Sequence, residues 1–319
     1  MELPLTPLEF ARRARRLYAD REAAVDGDLR LSYAQFFDRC DRWSQVLQAR
    51  MGVGHGDRVA YIAPNTHAQL ESFYAVPQLG AVLVPINYRL TADDFAYIIG
   101  HSGAKVVCAH SEYLDAVDRI RHQIPAVQHF VALEGARDGW QDYEKLVASA
   151  EAEFLKPQID ESDLLSINYT SGTTSRPKGV MITHPNAYIN IVGTLVHVSM
   201  SPADTYLWTL PMFHANGWTF VCIVTAVGAR HVCLRRAEPA RIFELINAEK
   251  VTMLCAAPTV LIGIANAPAE LRQGVRRGLR VFTAGAPPAA ATIGRIEGEF
   301  GWDIIHVYGL TETAPFITI

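Results

Sequence analysis

The segment that follows Asn168 combines hydroxyl, glycine and lysine residues in a pattern suited to binding phosphate groups. Residues 169–180 read Tyr-Thr-Ser-Gly-Thr-Thr-Ser-Arg-Pro-Lys-Gly-Val. Hydroxyls donate hydrogen bonds, glycines let backbone amides approach a ligand, and lysine adds positive charge. The segment is not a Walker A loop, because Pro177 stands where that motif requires glycine. Its composition fits either a nucleotide phosphate loop or a flexible surface loop. The candidate ligand-binding residues are Thr170, Ser171, Gly172, Thr173, Thr174 and Lys178.

Four further loops carry residue types that could complete such a site. They span residues 211–218, 257–259, 284–288 and 308–313, and each follows a short apolar run. Ligands of open parallel sheets bind beyond the carboxyl ends of the strands. The sequence therefore predicts that glycines, hydroxyls, His214 and Glu312 lie along one edge of a sheet. Each loop alone is also compatible with ordinary turn chemistry.

Alternating strands and helices are expected to position these loops. Apolar runs that read as strands alternate with helical patterns, which predicts βα units and mainly parallel sheets covered on both faces. The second half of the chain repeats this architecture without repeating the sequence. The expected strands include residues 58–63, 81–86, 105–109, 164–168, 206–210, 251–256, 280–283 and 304–307.

Composition excludes several classes of protein. Half of the 319 residues are hydrophobic and 19% are charged, which is typical of a globular chain and not of a disordered one. The formal net charge of −4 argues against a nucleic-acid binder but permits a local phosphate site. The longest apolar run contains Pro258 and is shorter than the roughly 18–20 residues that span a bilayer, so no transmembrane segment is expected. The five cysteines include no CxxC pair, which favours reduced thiols and a cytoplasmic location.

Several motifs together resemble those of the adenylate-forming (AMP-binding) superfamily, which includes acyl-CoA synthetases and aryl-CoA ligases. Residues 170–180 resemble its phosphate signature T-S-G-T-T-G-x-P-K-G-V, with Ser175 in place of a glycine. Residues 308–312 match its Y-G-x-T-E motif. Phe213-His214 resembles its F-H loop, and Gly285-Ala-Pro287 resembles its adenine-side G-A-P. The order of the motifs is also that of the superfamily.

This resemblance implies a fold and a reaction. The fold would be α/β, with two packed, mainly parallel sheets flanked by helices, as in the large domain of acyl-CoA synthetases. Residues 1–185 would form the first subdomain and residues 186–319 the second. The implied enzyme is an acid–thiol ligase that joins an apolar carboxylic acid to ATP as an acyl-adenylate and then transfers the acyl group to coenzyme A. An aryl-CoA ligase and a nucleotide-binding module without turnover remain alternatives.

The resemblance also implies roles for individual residues. The phosphate loop and Lys178 would hold the β- and γ-phosphates of ATP, and Thr311 would bind the α-phosphate. Glu312 would ligate Mg²⁺, although a carboxylate there also suits a helix N-terminus. His214 would lie near the reacting carboxylate or gate the acyl pocket, or else be a satisfied buried histidine. The adenine would lie between Tyr308-Gly309 and the residues Gly285, Ala286 and Pro287.

The superfamily places further elements after Y-G-x-T-E. These are a ribose-binding aspartate, a hinge and a small C-terminal domain with a catalytic lysine. We therefore expect these 319 residues to lack the C-terminal part, and the polypeptide to be weak or inactive alone. A homodimer is compatible with the sequence, which does not indicate the length or type of the acyl group.

Overall fold

The structure is a computed structural model that describes residues 4–170 and 176–319. Two seven-stranded sheets and one short antiparallel pair make up its strands. The first sheet has the order β7-β6-β5-β3-β4-β8-β9 and is parallel except for the antiparallel β8–β9 pair. Its strands are β3 (Arg58–Ile62), β4 (Val82–Ile86), β5 (Ala104–Ala109), β6 (His129–Ala132), β7 (Gln141–Asp142), β8 (Leu164–Thr170) and β9 (Lys178–Thr183).

The second sheet has the order β14-β13-β12-β10-β11-β1-β2. It is parallel except for the hairpin that joins β1 to β2. A separate antiparallel pair, β15 and β16, follows it in the chain. The strands are β1 (Glu22–Asp26), β2 (Leu29–Ser32), β10 (Thr205–Leu207), β11 (Arg230–Val232), β12 (Met253–Cys255), β13 (Arg280–Thr283), β14 (Asp303–His306), β15 (Tyr308–Gly309) and β16 (Phe316–Thr318).

Helices cover both faces of each sheet, so the two sheets alternate with three helical layers. The middle layer packs against inward faces of both sheets, and the outer layers close the remaining faces. Side chains alternate across each strand, so Val59 and Tyr61 of β3 enter the central core while Ala60 and Ile62 enter the outer one. The helices are α1 (Leu8–Leu17), α2 (Tyr33–Gln45), α3 (His67–Ala75), α4 (Ala92–Ser102), α5 (Leu114–Ile120), α6 (Tyr143–Ala148), α7 (His184–Val198), α8 (Ala215–Trp218), α9 (Phe220–Val227), α10 (Pro239–Ala248), α11 (Pro258–Ala265), α12 (Ala269–Arg272) and α13 (Ala290–Phe300).

The predicted α/β architecture of two packed, mainly parallel sheets is confirmed. Strands β14, β13, β12 and β10 are parallel neighbours, so the four candidate loops do leave one edge of the second sheet. The subdomain boundary at 185/186 stays a prediction. Sheet membership crosses it, because Ala24 and Val25 of β1 pair with His231 and Val232 of β11.

No helix in the described part of the chain is long and apolar enough to cross a bilayer.

Candidate active site

A hairpin of the first sheet presents the start and the end of the predicted phosphate loop. Thr170 ends β8 and is the register partner of Lys178, which begins β9. Residues Ser171, Gly172, Thr173 and Thr174 lie outside the described residues, so their predicted role stays a prediction. Thr170 and Lys178 thus lie opposite each other on two antiparallel strands, so the segment between them joins a strand to a strand and not a strand to a helix.

Close packing fixes this hairpin. A Cβ at Gly179 would come within 2.9 Å of Ile167 Cγ2 and 3.1 Å of the Tyr169 ring. The Tyr169 hydroxyl in turn lies 2.7 Å from His101 Nδ1 on α4. Burial raises the pKa of Tyr169 to about 12, so the hydroxyl keeps its proton and the ring stays anchored at neutral pH. The glycine therefore serves the packing of the hairpin as well as any approach of a ligand.

Arg176 adds a second cation beside Lys178. Its guanidinium carbon lies 5.2 Å from the centroid of the Tyr97 ring on α4, within the range of a cation–π contact. Sequence reasoning gave this arginine no role, because its position is the variable x of the phosphate signature. Its proximity to an aromatic ring on α4 could not be read from the segment itself.

The loop that carries His214 is fastened to the first sheet by Asn65, which follows β3. Asn65 Nδ2 donates to the carbonyls of Trp208 and Leu210 at 2.8 and 3.0 Å. Asn65 Oδ1 accepts a hydrogen bond of 2.8 Å from the Met212 amide. This single side chain thus replaces sheet pairing where β10 has ended.

The chain then makes a left-handed turn directly after His214, so the short segment α8 is not a regular right-handed helix. Residues 215–219 all have positive φ, with Asn216 at 48° and Gly217 at 55°. Non-glycine residues in this region cost about 1–2 kcal/mol each and normally occur singly. Gly217 is also required sterically, because a Cβ there would lie 2.5 Å from the Trp208 ring. Such a run is strained, so other contacts must hold it.

His214 stands at the start of this turn and remains solvent-accessible. Desolvation by the surrounding protein, and secondarily the charge of Arg89, lower its pKa below the usual value. The imidazole is therefore neutral at neutral pH and can donate or accept a hydrogen bond without carrying charge.

Thr311 and Glu312 occupy a short 3₁₀ turn, Thr311–Thr313, between β15 and β16. Glu312 is exposed and Thr311 is partly buried. Both line a groove of about 730 Å³ beside β9 and α7. Thr311 lines a second cavity as well, so it joins the groove to the phosphate hairpin.

That second cavity, of about 350 Å³, collects candidate residues from distant parts of the chain. Thr170, His214 and Thr311 all line it, and their roles stay a prediction. It also contains residues to which sequence reasoning assigned nothing. The alternation of Ser166, Asn168 and Thr170 on one face of β8 could have revealed Asn168. The lining residues outside the predicted loops are Asn87, Leu90, Asp94 and Asn168. Tyr169, Arg176, Pro177, Phe213 and Ala215 belong to the predicted segments 169–180 and 211–218 but were given no role of their own.

The adenine-side candidates lie outside the lining of this cavity. Gly285, Ala286 and Pro287 are exposed after β13, and the Tyr308 side chain is 55% exposed on β15. Gly309 has a structural reason to be glycine, because a Cβ there would lie 2.1 Å from the Pro315 carbonyl oxygen. The adenine site therefore remains a prediction from the motifs.

The donor set near Thr311 fits Mg²⁺. Magnesium prefers oxygen ligands and is usually held by one or two carboxylates together with substrate phosphates and water. Glu312 supplies a carboxylate and Thr311 a hydroxyl in the same groove. The described residues contain no group of three or more potential His, Cys, Asp or Glu ligands. A metal here would therefore need oxygen atoms of a bound nucleotide to complete its coordination.

The arrangement of sheets and helices is that of the N-terminal domain of acyl-CoA synthetase structures. The N-terminal domain of FACL13 from Mycobacterium tuberculosis superposes with a TM-score of 0.87 at 30% identity, covering 97% of this chain and 77% of that one. The anthranilate CoA ligase AuaEII, solved with anthranoyl-AMP, shares the fold with a TM-score of 0.92 at 24% identity, covering 99% and 63%.

Sequence comparison gives the family. The model of the AMP-binding enzyme family matches residues 10–319, and this chain belongs to that family. The 4-hydroxybutyrate–CoA ligase 2 of Metallosphaera sedula is 38% identical over 97% of this chain and 58% of its own length. The peroxisomal trans-cinnamate:CoA ligase of Petunia hybrida is 36% identical, with the same two coverages of 97% and 58%. The chain thus spans about three-fifths of the length of these relatives.

Proposed function

We propose that the chain takes part in activating an apolar carboxylic acid with ATP and transferring the acyl group to the thiol of coenzyme A. The observation that carries this proposal is the meeting of Thr170, His214 and Thr311, from three distant segments, around one cavity. The CoA ligases among its relatives support the same reaction class.

The first step joins two anions. A carboxylate oxygen of the acid attacks the α-phosphorus of ATP, the bond from that phosphorus to the bridging oxygen breaks, and pyrophosphate leaves with the electron pair. Lys178 and Arg176 offset the negative charge of the phosphates, and Thr170 and Thr311 donate hydrogen bonds to phosphate oxygens. Glu312 and the phosphates would hold Mg²⁺, which would supply further positive charge.

His214 is suited to orienting the acid. A positively charged imidazole would pair with the carboxylate and reduce its nucleophilicity. The lowered pKa of His214 keeps the ring neutral, so it can hold one oxygen by a hydrogen bond while the other attacks. In the second step the sulfur of coenzyme A bonds to the acyl carbon, the bond from that carbon to the AMP phosphate oxygen breaks, AMP leaves with the electron pair, and the thiol proton passes to solvent.

Carboxylate-dependent exchange of labelled pyrophosphate into ATP tests the first step. We would assay this chain with butyrate, 4-hydroxybutyrate, octanoate, benzoate and cinnamate, each with and without Mg²⁺, and measure ATP binding separately by calorimetry. Because we expect the polypeptide to be weak alone, we expect slow but measurable exchange with at least one acid, and its loss in His214→Ala. If ATP binds while none of the acids supports exchange, the activation proposal is wrong for this chain.

ATP binding without exchange would favour the alternative, a nucleotide-binding module without turnover. The observation behind it is the coverage of only about three-fifths of the relatives' length. We keep the prediction that acyl-CoA formation by this polypeptide alone is weak. Robust thioester formation from octanoate, ATP and CoA would contradict it. The cytoplasmic location, the homodimer and the choice between fatty and aryl acids also stay predictions.

A further inference from the structure

Three buried polar side chains form a closed ring of hydrogen bonds between the phosphate hairpin and the left-handed turn. The Ser166 hydroxyl donates to Asn168 Oδ1 at 2.9 Å. Asn168 Nδ2 donates to Asn216 Oδ1 at 3.1 Å, and Asn216 Nδ2 donates to Ser166 Oγ at 2.8 Å. The three residues are only 1%, 2% and 7% exposed, respectively. Each side chain therefore donates to the next and accepts from the previous one.

The strand register explains why this ring reaches the nucleotide site. Side chains two residues apart on a strand share a face, so Ser166, Asn168 and Thr170 lie on one face of β8. Thr170 is the last residue of β8 and lines the same cavity as Asn168 and His214. A change in the position of Asn168 is thus passed through two residues of strand to the phosphate hairpin.

The ring also holds the chain on both sides of His214. Asn168 Nδ2 makes a second hydrogen bond, of 3.1 Å, to the carbonyl of Phe213, the residue before His214. Asn216 lies two residues after His214 with φ of 48°. His214 therefore lies between two residues, Phe213 and Asn216, that are both hydrogen-bonded to the side chain of Asn168 on β8.

We propose that Asn168 and Asn216, closed by Ser166, are positioning residues that hold His214 against the phosphate hairpin. The role of the ring in turnover rests on the proposed function, whereas its role in holding the turn does not. A turn of four non-glycine residues with positive φ relaxes when its anchor is removed, and His214 then loses its place beside Thr170.

Hydrogen–deuterium exchange tests the anchoring without any turnover. We choose Asn216→Gly because glycine accepts positive φ, so its effect reports the lost ring and not new backbone strain. Asn168→Ala removes the other attachment. In both variants the amides of residues 213–219 should exchange about tenfold faster or more. The matched control is Asn247→Ala, which removes two hydrogen bonds to Gly274 and Arg276 far from the cavity.

ATP with Mg²⁺ provides the second arm of this experiment. Binding should slow exchange of amides 213–219 in the unchanged chain and in the control, and should do so at least about threefold less in the two ring variants. Unaltered exchange in both ring variants would overturn the proposal. If Asn216→Gly does not fold, Ser166→Ala replaces it, since that change removes one hydroxyl and keeps the direct bond between the two asparagines.

Steady-state pyrophosphate exchange separates positioning from nucleotide binding. We expect kcat to fall about tenfold to a hundredfold in the ring variants, because misplacing a reacting group by about 1 Å has effects of that size. The KM for ATP should stay within about threefold, since the phosphate contacts remain. An equal loss in kcat and ATP affinity would overturn the positioning role. If the unchanged chain shows no exchange, the proposed function fails while the deuterium arm still decides the anchoring.

Discussion

Many of the charged and hydrogen-bonding side chains lie in two regions of the molecule. These two regions are built differently. One is a junction between the sheets that is largely buried except at Glu144. It consists of Asp26, Arg39, His67, Glu71, Tyr143 and Glu144. The other is the set of motif loops at the strand ends, where Lys178, Glu312 and Pro287 are exposed. The junction residues bind each other, whereas the loop residues are free to meet a ligand.

The contacts of the junction are short and cross between elements. Arg39 Nε lies 2.6 Å from Glu71 Oε1, and the Tyr143 hydroxyl donates to the same carboxylate. His67 Nδ1 lies 2.7 Å from Asp26 Oδ2 of β1, and His67 Nε2 lies 2.9 Å from Glu144. Because β1 belongs to the second sheet, this network ties the two sheets together. The comparison teaches that strong pairing marks structure here, and that the charges of the motif loops are the less engaged ones.

Removing the buried carboxylate should have the largest effect on stability. Glu71 is fully buried, so Glu71→Ala leaves the Tyr143 hydroxyl without its acceptor and leaves Arg39 with Glu144 as its only carboxylate partner among the described residues. We expect the free energy of unfolding to fall by about 3–5 kcal/mol, measured by urea denaturation. The control is Glu244→Ala, which breaks the exposed Arg241–Glu244 pair and should change stability by less than about 1 kcal/mol. Equal losses in the two variants would contradict the contrast between the regions.

The junction should also make stability depend on pH. Burial disfavours the charge on His67, but hydrogen bonds to Asp26 and Glu144 outweigh it and raise the pKa of His67 to about 10. Above about pH 6.5 the unfolded chain loses this proton while the folded chain keeps it, so stability falls as the pH rises from about 6.5 to 10. We expect a fall of about 3 kcal/mol, less than the full pKa difference would give, because Glu144 is half-exposed and screened.

Denaturation curves of the unchanged chain and of His67→Gln between pH 6 and 10 measure this effect. Cysteine and tyrosine ionisation contribute equally to both proteins, so the difference between the two slopes reports His67. Parallel curves would show that the ion pairs of His67 do not matter to folding.

The sequence predicted the elements whose residue pattern is local in the chain. The strand at Arg280–Thr283 has the expected bounds, because it is a short apolar run between polar turns. The β1–β2 hairpin was missed although it is local, because its strands are only five and four residues long. The pairing of Val25 with Val232 could not be read from the segment, since Val232 lies far away in the chain. The motif loops, by contrast, could be recognised because their residues are contiguous in the sequence. Ser166 and Asn168 looked like polar interruptions of a strand until Asn216 was seen to complete them.

A glycine substitution sharpens the comparison within the phosphate hairpin. Gly179→Ala places a methyl group against Ile167 and against the Tyr169 ring, which His101 holds. We expect a loss of about 1–3 kcal/mol from overpacking, together with weaker ATP binding. The matched control, Gly298→Ala on the exposed face of α13, has no atom within 4 Å and should stabilise the chain by about 0.5–1 kcal/mol. Thermal denaturation distinguishes the two signs, and a stabilised Gly179→Ala would contradict the tight packing of the hairpin.

Lys178 should show the smallest effect on stability and a clear effect on binding. The side chain is exposed at the start of β9, so Lys178→Ala should change the free energy of unfolding by no more than about 0.5 kcal/mol. Loss of one charge-assisted contact to a phosphate should nevertheless weaken ATP binding about tenfold, as calorimetry would measure. Lys145→Ala, equally a surface lysine, should leave ATP affinity unchanged. The contrast with Glu71 requires that Lys178 affect ATP affinity and not the free energy of unfolding. A large loss of stability in Lys178→Ala, with ATP affinity intact, would place this residue with the junction and remove it from the site.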